Sequence, residues 1–275
     1  MYYKHDLDIT YPDKCDEHML RVKKKRTLVF DHTYPYYPKS FWYKLRRVGY
    51  FLLIQLIVFP LMRLTHGLRI EGRKNVRQNR KLMRAGVITV SNHVFMWDYL
   101  CVLRAISPRL AFFPAWRDNF EGGFGKLIRL SGGIPIPTES VRAMAKCHRA
   151  MEEVLARGKN LHIYPEGSLW FFYPDIRPLK LAAFKYAVKF DRPVFPITFS
   201  FRPRRGIYRL FGKKPCVDMH IGAPCFHDKA LHPNAAAEAL RAEVYRKMQE
   251  MNGIHPGDTT YNEDHNPENY KKTSF

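Results

Sequence analysis

Residues 85–100 read AGVITVSNHVFMWDYL, and this stretch sets the architecture that we expect for the chain. Its first six residues are apolar and rich in β-branched side chains, which predicts a short buried strand rather than a helix. A polar Ser-Asn pair then marks a turn, and the apolar spacing from Trp97 onward predicts a helix that begins near Asp98. We therefore expect His93 at the end of a strand and a carboxylate at the start of the following helix.

The spacing of five residues between His93 and Asp98 indicates how the two side chains meet. On one continuous helix they would point about 140° apart, because a helix has 3.6 residues per turn. With His93 in the turn and Asp98 in the first helical turn, the carboxylate can fold back onto the imidazole. A histidine held in this way is fixed in one tautomer and is a better base, which suits removal of a proton from a hydroxyl. The alternative is a surface histidine beside a helix-capping aspartate.

The composition is that of a globular protein with a large positive charge. The chain has 275 residues, 46% of them hydrophobic, and 46 Lys+Arg against 25 Asp+Glu give a formal charge of +21. Such a charge attracts polyanions, so nucleic acid and an anionic membrane surface are the candidate partners. The length allows either one large α/β domain or one domain with appendages, and we favour a single domain. Five cysteines without a C-x-x-C pair predict a reducing, intracellular compartment.

A helix is predicted over residues 40–64, after a polar segment at 1–39 to which we assign no compact structure. Aromatic and basic side chains at 41–47 precede an apolar run at 50–62, as expected for a helix at a lipid headgroup boundary. The run is only about 20 Å long as a helix, too short for about 30 Å of hydrocarbon. We therefore predict an interfacial or re-entrant membrane helix, with a buried core helix as the alternative.

Two later stretches continue the strand, turn and helix pattern. Residues 132–137 read GGIPIP, a turn and strand, and Thr138 is expected to cap the helix that follows. Residues 161–164 predict another strand, which leads into the loop Pro-Glu-Gly-Ser at 165–168. A carboxylate at a strand end, with Gly167 allowing close backbone approach, can orient a hydroxyl or amine of a bound molecule. Taken alone, the tetrapeptide would be a plain turn.

Together these stretches resemble the signature blocks of the lysophospholipid acyltransferase family, which includes the 1-acyl-glycerol-3-phosphate acyltransferases. The similar blocks lie at 92–98, 132–137 and 165–168 and around Pro196, in the family's order. The resemblance implies the glycerolipid acyltransferase fold, an α/β domain with a central mixed sheet and surrounding helices, here at 65–251. The family also carries an N-terminal membrane-associating helix, which favours the membrane interpretation of 40–64. Residues 252–275 are polar and predicted to be a disordered tail.

The implied reaction moves a fatty acyl group from a thioester, acyl-CoA or acyl carrier protein, to a hydroxyl of a lysolipid in phospholipid biosynthesis. His93 would take the hydroxyl proton, and Asp98 would stabilise the imidazolium. No metal and no resident cofactor are expected. The protein would work on the cytoplasmic face of a membrane, with its charge attracting an anionic leaflet. The predicted acceptor-binding residues are Glu166, Gly167, Ser168, Arg177, Lys180 and Arg142.

Two departures from the family leave the acceptor open. The family usually has phosphate-binding arginines at the positions of Thr138 and Leu169, and Arg177, Lys180 or Arg142 could replace them. An acceptor without phosphate, such as a glycolipid or an aminolipid, is therefore the alternative. A nucleic-acid-binding protein is favoured by the charge alone, since no known module for that function is recognisable. An inactive membrane scaffold is the other rival, although the histidine and both carboxylates of the blocks are retained.

Overall fold

A seven-stranded mixed sheet forms the centre of the protein, in a computed structural model that describes residues 3–15, 17–20 and 22–255. Its strands are β1 (Arg69–Glu71), β2 (Ile88–Ser91), β3 (Ala111–Trp116), β4 (Gly133–Ile136), β5 (Asn160–Ile163), β6 (Val194–Arg202) and β7 (Cys216–Ile221). Their order is β1-β7-β6-β2-β5-β3-β4. Strands β6 and β7 are antiparallel, and the other neighbouring pairs are parallel. The predicted mixed sheet is confirmed.

Helices surround this sheet. They are α1 (Phe41–Leu53), α2 (Phe59–Thr65), α3 (Arg73–Gln78), α4 (Arg80–Ala85), α5 (Asp98–Ala105), α6 (Arg117–Glu121), α7 (Gly125–Ser131), α8 (Val141–Ala156), α9 (Ala182–Lys189) and α10 (Pro233–Met251), with a 3₁₀ helix at Gly206–Phe211. Strand β2 is buried throughout and lies between β5 and β6. Because β2 and β5 are parallel, their carboxyl ends meet at one edge of the sheet, and His93 and Glu166 follow them there.

The helix predicted at 40–64 is present and longer than its apolar run. Helices α1 and α2 are joined by a π-helical turn, Ile54–Val58, into one helix, Phe41–Thr65, of 25 residues. Pro60 follows this wide turn in α2 and has no N–H to donate to the carbonyl of Leu56 within the turn. At about 1.5 Å per residue the helix is about 37 Å long. By length and composition it could cross a membrane, which corrects the expectation that this segment is too short.

The N-terminal segment contains no helix or strand in its described part, yet it packs on the domain. Phe30 and Tyr36 are 0% and 2% exposed and belong to the main apolar core. The Tyr36 hydroxyl donates to the Phe30 carbonyl oxygen at 2.6 Å. The sequence assigned no compact structure here because buried side chains in irregular backbone have no periodicity.

Two further boundaries differ from the predicted ones. The cap of α8 is Ser140, whose Oγ accepts from the Ala143 N–H at 3.1 Å, and not Thr138. The predicted tail at 252–275 begins with residues that pack on the domain, since Asn252 and Ile254 are 3% and 5% exposed. From residue 256 onward the predicted tail lies outside the described part of the chain.

Candidate active site

The strand, turn and helix at 88–105 bring His93 and Asp98 together. His93 follows β2, and Asp98 is the first residue of α5. His93 Nδ1 lies 2.6 Å from Asp98 Oδ2, so the carboxylate folds back onto the ring as the spacing predicts. The Asp98 side chain is only 2% exposed, whereas that of His93 is 23% exposed. Since Nδ1 is held by the carboxylate, Nε2 is the nitrogen that a substrate can use.

Tyr164 completes this group and was not predicted. Its hydroxyl donates to Asp98 Oδ1 at 2.6 Å, and its ring stacks on the His93 imidazole at 3.9 Å between centroids. Burial, together with the Asp98 charge, raises the pKa of Tyr164 well above its ordinary value, so the hydroxyl remains a donor. Tyr164 directly follows β5, the neighbour of β2. Its position at the carboxyl end of a strand parallel and adjacent to β2 was the signal that could have identified Tyr164.

Glu166 holds the backbone of His93. Its Oε2 accepts from the His93 N–H at 2.9 Å, and its Oε1 accepts from the Arg177 N–H at 2.9 Å. The guanidinium of Arg177 donates to the same carboxylate at 2.8 Å, and both side chains are 0% exposed. Neither side chain is exposed in this structure, where both support the backbone of His93, and their contact with an acceptor stays a prediction.

The N-terminal segment covers this ion pair. Arg177 Nη1 and Ser168 Oγ both donate to the carbonyl oxygen of Cys15, at 2.8 and 2.7 Å. Ser168 is also 0% exposed, and its contact with an acceptor likewise stays a prediction. The guanidinium also lies over the Trp170 ring, 4.5 Å from its centroid. These buried groups form a structural support behind His93.

The aromatic residues after the Pro-Glu-Gly-Ser loop also contact the N-terminal segment. Trp170 donates its indole N–H to the Glu17 carbonyl at 3.0 Å and stacks on Tyr11. The Tyr11 hydroxyl donates to the Phe171 carbonyl at 3.1 Å. Leu169, at the position of an arginine in the family, is 6% exposed. This stretch is therefore used for packing and leaves little surface for an acceptor.

Three predicted acceptor residues remain accessible. Gly167 is exposed with φ +87°, and a β-carbon there would lie 3.0 Å from Lys180 Nζ. The Lys180 N–H donates to the Pro165 carbonyl at 2.8 Å, which fixes the lysine beside the loop. Arg142 is exposed on α8, one residue after its start. Gly167 and Lys180 thus lie together, next to the residues that hold His93.

Arg117 is the arginine that the structure places beside Thr138. It donates to Thr138 Oγ1 at 3.1 Å and to Glu121 at 3.0 Å, and it also pairs with Glu139. Its carboxylate partners offset its charge, so it is a poor substitute for a free phosphate-binding arginine. Sequence reasoning missed it because it begins α6, 21 residues before Thr138.

The remaining polar groups of the core point to no metal centre. His162 is fully buried, with Nδ1 2.9 Å from Thr89 Oγ1, and burial lowers its pKa to about 3. It is a neutral core histidine. Within residues 3–15, 17–20 and 22–255, no cluster of three His, Cys, Asp or Glu side chains could hold a metal ion.

Fold and site together define a class: an α/β domain with a histidine–carboxylate pair at the carboxyl edge of a mixed sheet. Comparison with known proteins agrees. Residues 67–200 match the family model described as acyltransferase, so this part of the chain is similar to that family.

Two known proteins are similar to this chain. Human 1-acyl-sn-glycerol-3-phosphate acyltransferase beta is 29% identical over 137 residues, which are 49% of this chain and 48% of that protein. The chain thus spans about half the length of that relative. The crystal structure of the 1-acyl-sn-glycerophosphate (LPA) acyltransferase from Thermotoga maritima matches with a TM-score of 0.53 at 19% identity, over 80% of this chain and 87% of that one. The predicted acyltransferase fold is confirmed.

Proposed function

We propose that this protein is an acyltransferase of the 1-acyl-glycerol-3-phosphate acyltransferase type, which moves a fatty acyl group from a thioester to a lysolipid hydroxyl. The observation that carries the proposal is the His93–Asp98 pair, with 2.6 Å between its atoms and an imidazole that is 23% exposed. A base of this kind can reach a substrate on one side while its other nitrogen is held. The names of the two similar proteins support the same chemistry.

In the proposed mechanism His93 Nε2 takes the proton from the acceptor hydroxyl as its oxygen attacks the thioester carbonyl. Asp98 stabilises the imidazolium that forms, and Tyr164 orients Asp98 through its hydroxyl. The tetrahedral intermediate then collapses with loss of the thiolate, which receives the proton from His93. The result is an ester, a free thiol and a neutral histidine. The donor is acyl-CoA or acyl carrier protein.

The acceptor's phosphate, if present, would bind near Lys180. Arg177 is sealed from solvent, whereas Lys180 is partly exposed and lies beside the exposed Gly167. A lysine binds phosphate as a point charge without the two-pronged geometry of arginine. One cation at this place is compatible with a phosphate acceptor, and equally with a polar acceptor that lacks phosphate.

The proposed location is the surface of a membrane, on its cytoplasmic face. Only 22% of the most apolar 18-residue stretch of the Phe41–Thr65 helix is buried, so much of its apolar surface faces away from the domain. Met96 and Trp97, close to His93, are 49% and 36% exposed, and Trp97 packs edge-on against Phe124. Apolar surface at the helix and next to the base suits substrates that are delivered from a bilayer. The formal charge of +21 favours an anionic leaflet.

The deciding experiment is acyl transfer from labelled acyl-CoA and from acyl carrier protein to a lysolipid panel with phosphate and non-phosphate acceptors. We expect product that requires His93, with His93→Ala as the control. Lys180→Ala should raise KM for a phosphate acceptor about tenfold, as loss of one charged hydrogen bond predicts. Lys146→Ala removes an exposed lysine of α8 that is not among the predicted acceptor-binding residues, and it is the matched control for charge. No transfer to any acceptor by folded protein would refute the proposal.

A further inference from the structure

A cavity lies at the edge of the sheet opposite His93. Its volume is about 410 Å³, and α3, α4 and the residues just after α5 line it. Helix α4 ends just before β2 begins, so its end lies near the amino end of β2. Helix α5 begins after the carboxyl end of β2, near His93, and the residues after its far end line the cavity. The cavity is therefore at the amino end of β2, whereas His93 is at its carboxyl end. The cavity is therefore separate from the proposed active site.

Its lining is strongly cationic. The apolar residues are Val76, Met83 and Ile106, and five arginines surround them: Arg73, Arg77, Arg80, Arg84 and Arg109. No aspartate or glutamate from the described part of the chain is among the lining residues. Burial, followed by repulsion from nearby arginines, lowers the pKa of Arg73. Like charges gathered in this way destabilise the folded chain unless an anion binds between them.

The arginine cavity adjoins the Phe41–Thr65 helix. Its apolar residues Val76, Met83 and Ile106 belong to the same buried cluster as Phe59 and Met62 of that helix. Just outside the cavity, Arg104 donates to Gln55 at 2.7 Å and lies 4.9 Å from the Phe59 ring centroid. The helix also presents exposed apolar side chains: Phe41, Trp42, Leu45, Val48, Leu52, Leu53, Leu56, Ile57, Leu61 and Leu64. A cationic cavity thus lies beside an apolar surface.

We propose that the arginine cavity binds the phosphate of an anionic phospholipid headgroup, with the lipid's acyl chains against the exposed face of the Phe41–Thr65 helix. The guanidinium fork matches the oxygens of a phosphate, and several arginines can share one phosphate group. The bound lipid is not the acyl acceptor, because His93 lies at the other edge of the sheet. The inference rests on the proposed membrane association and is independent of acyl transfer.

Flotation with liposomes tests the proposal. Wild type is compared on phosphatidylcholine vesicles with and without phosphatidic acid, together with the triple variant Arg77→Ala, Arg80→Ala, Arg84→Ala. These arginines are exposed, so the variant should fold. We expect its partition onto anionic vesicles to fall at least tenfold, since three cations that would face the anionic surface are removed. Its partition onto neutral vesicles should stay within about twofold, because the apolar helix is unchanged.

A charge-matched variant separates the cavity from general charge. Lys146→Ala, Arg149→Ala and Lys185→Ala together remove three exposed cations from α8 and α9. Equal loss of anionic binding in both triple variants would overturn the proposal, since net charge alone would then explain it. Unchanged binding of the cavity variant would overturn it as well. The variant Arg77→Lys, Arg80→Lys, Arg84→Lys keeps the charge, and we expect it to bind less than wild type because the guanidinium fork is lost.

Two further measurements distinguish a lipid phosphate from a free phosphate and test the proposed membrane association. If inorganic phosphate or glycerol phosphate raises the Tm of wild type and not of the cavity variant, while vesicle binding is equal, the cavity binds a free phosphate and the lipid assignment fails. If wild type does not float with vesicles of either composition, the proposed membrane association itself fails. Transfer to a soluble short-chain acceptor should be equal in wild type and the cavity variant, which shows that the active site is intact.

Discussion

At the same edge of the sheet, two pairs of a carboxylate and a basic side chain have nearly the same geometry and opposite accessibility. His93 and Asp98 are 2.6 Å apart, and Arg177 and Glu166 are 2.8 Å apart. The His93 side chain is 23% exposed, whereas the side chains of the second pair are both 0% exposed. The residue types alone would allow either pair to act on a substrate. Access to solvent, and not the pairing, distinguishes the group that can do chemistry from the group that supports it.

The two pairs are also linked. Glu166 accepts from the His93 N–H, so the buried pair fixes the backbone from which the imidazole extends. A buried ion pair is rarely a net source of stability, because removing two charges from water costs several kcal/mol. Here the cost is offset by hydrogen bonds from and to the backbone, including the Cys15 carbonyl. The buried pair thus gives geometric precision to the exposed one.

Removal of the exposed base should have the largest effect on activity. We expect His93→Ala to lower kcat by at least about 10³, within the range for loss of a general base. Stability should change little, because the histidine side chain is partly exposed and its backbone contact with Glu166 remains. Single-turnover transfer and the Tm of the variant measure the two effects. Near-normal transfer would remove His93 from the mechanism.

Breaking the buried pair should lower stability. Arg177→Ala leaves the Glu166 carboxylate buried without its cation, and we expect a loss of about 3–5 kcal/mol in the free energy of unfolding. Urea unfolding measures the loss. The control is Arg177→Met combined with Glu166→Gln, which removes both charges and should cost less. If Arg177→Ala instead kept full stability and raised only KM for the acceptor, Arg177 would be a binding residue.

Glu121 extends the comparison to a third buried carboxylate. Burial raises the pKa of Glu121, but hydrogen bonds from Lys24, Arg117 and the Leu28 N–H lower it by more. The net result is a pKa of about 2, below the ordinary 4.5. Because the folded-state pKa is the lower one, the stabilisation is present above pH 4.5 and is lost as the pH falls towards 2.

Glu121→Gln should therefore cost about 3 kcal/mol at neutral pH and progressively less below pH 4.5. Urea unfolding of wild type and variant across this range tests the sign. If the difference in the free energy of unfolding between wild type and variant stays constant down to pH 2, the charge of Glu121 is not what holds Lys24 and Leu28 of the N-terminal segment. Glu139→Gln, on the same Arg117 but partly exposed, is the control and should change stability less.

The smallest expected effect is at the hydroxyl that orients Asp98. Tyr164→Phe keeps the ring against the imidazole and removes one hydrogen bond to a carboxylate, so kcat should fall about tenfold with KM unchanged. Since the pKa of Tyr164 is raised well above its ordinary value, the kcat–pH profile of wild type should show no loss of activity from tyrosine ionisation near pH 10. Unaltered kcat in the variant would show that stacking alone positions His93.

The sequence predicted the elements around the site well because each is locally coded. The apolar run before Ser91 and the spacing after Trp97 correspond to β2 and α5. The helix at 40–64 was predicted to within a residue or so, although its length as a membrane element was underestimated. Charged residues at its start interrupt the apolar run without interrupting the helix. The packing of the described residues among 3–39 could not be predicted, because irregular backbone leaves no periodic pattern.

By itself, the sequence determined the order of strands and helices, the placement of His93 and Asp98 and the family resemblance. These depend on periodicity and on spacings of a few residues. Only the tertiary structure decided which motif residues are accessible. Arg177 meets the Cys15 carbonyl across 162 residues, and Tyr164 meets Asp98 across 66. Burial is set by such distant contacts. The sequence could therefore identify the Pro-Glu-Gly-Ser motif, but not which of its residues are accessible.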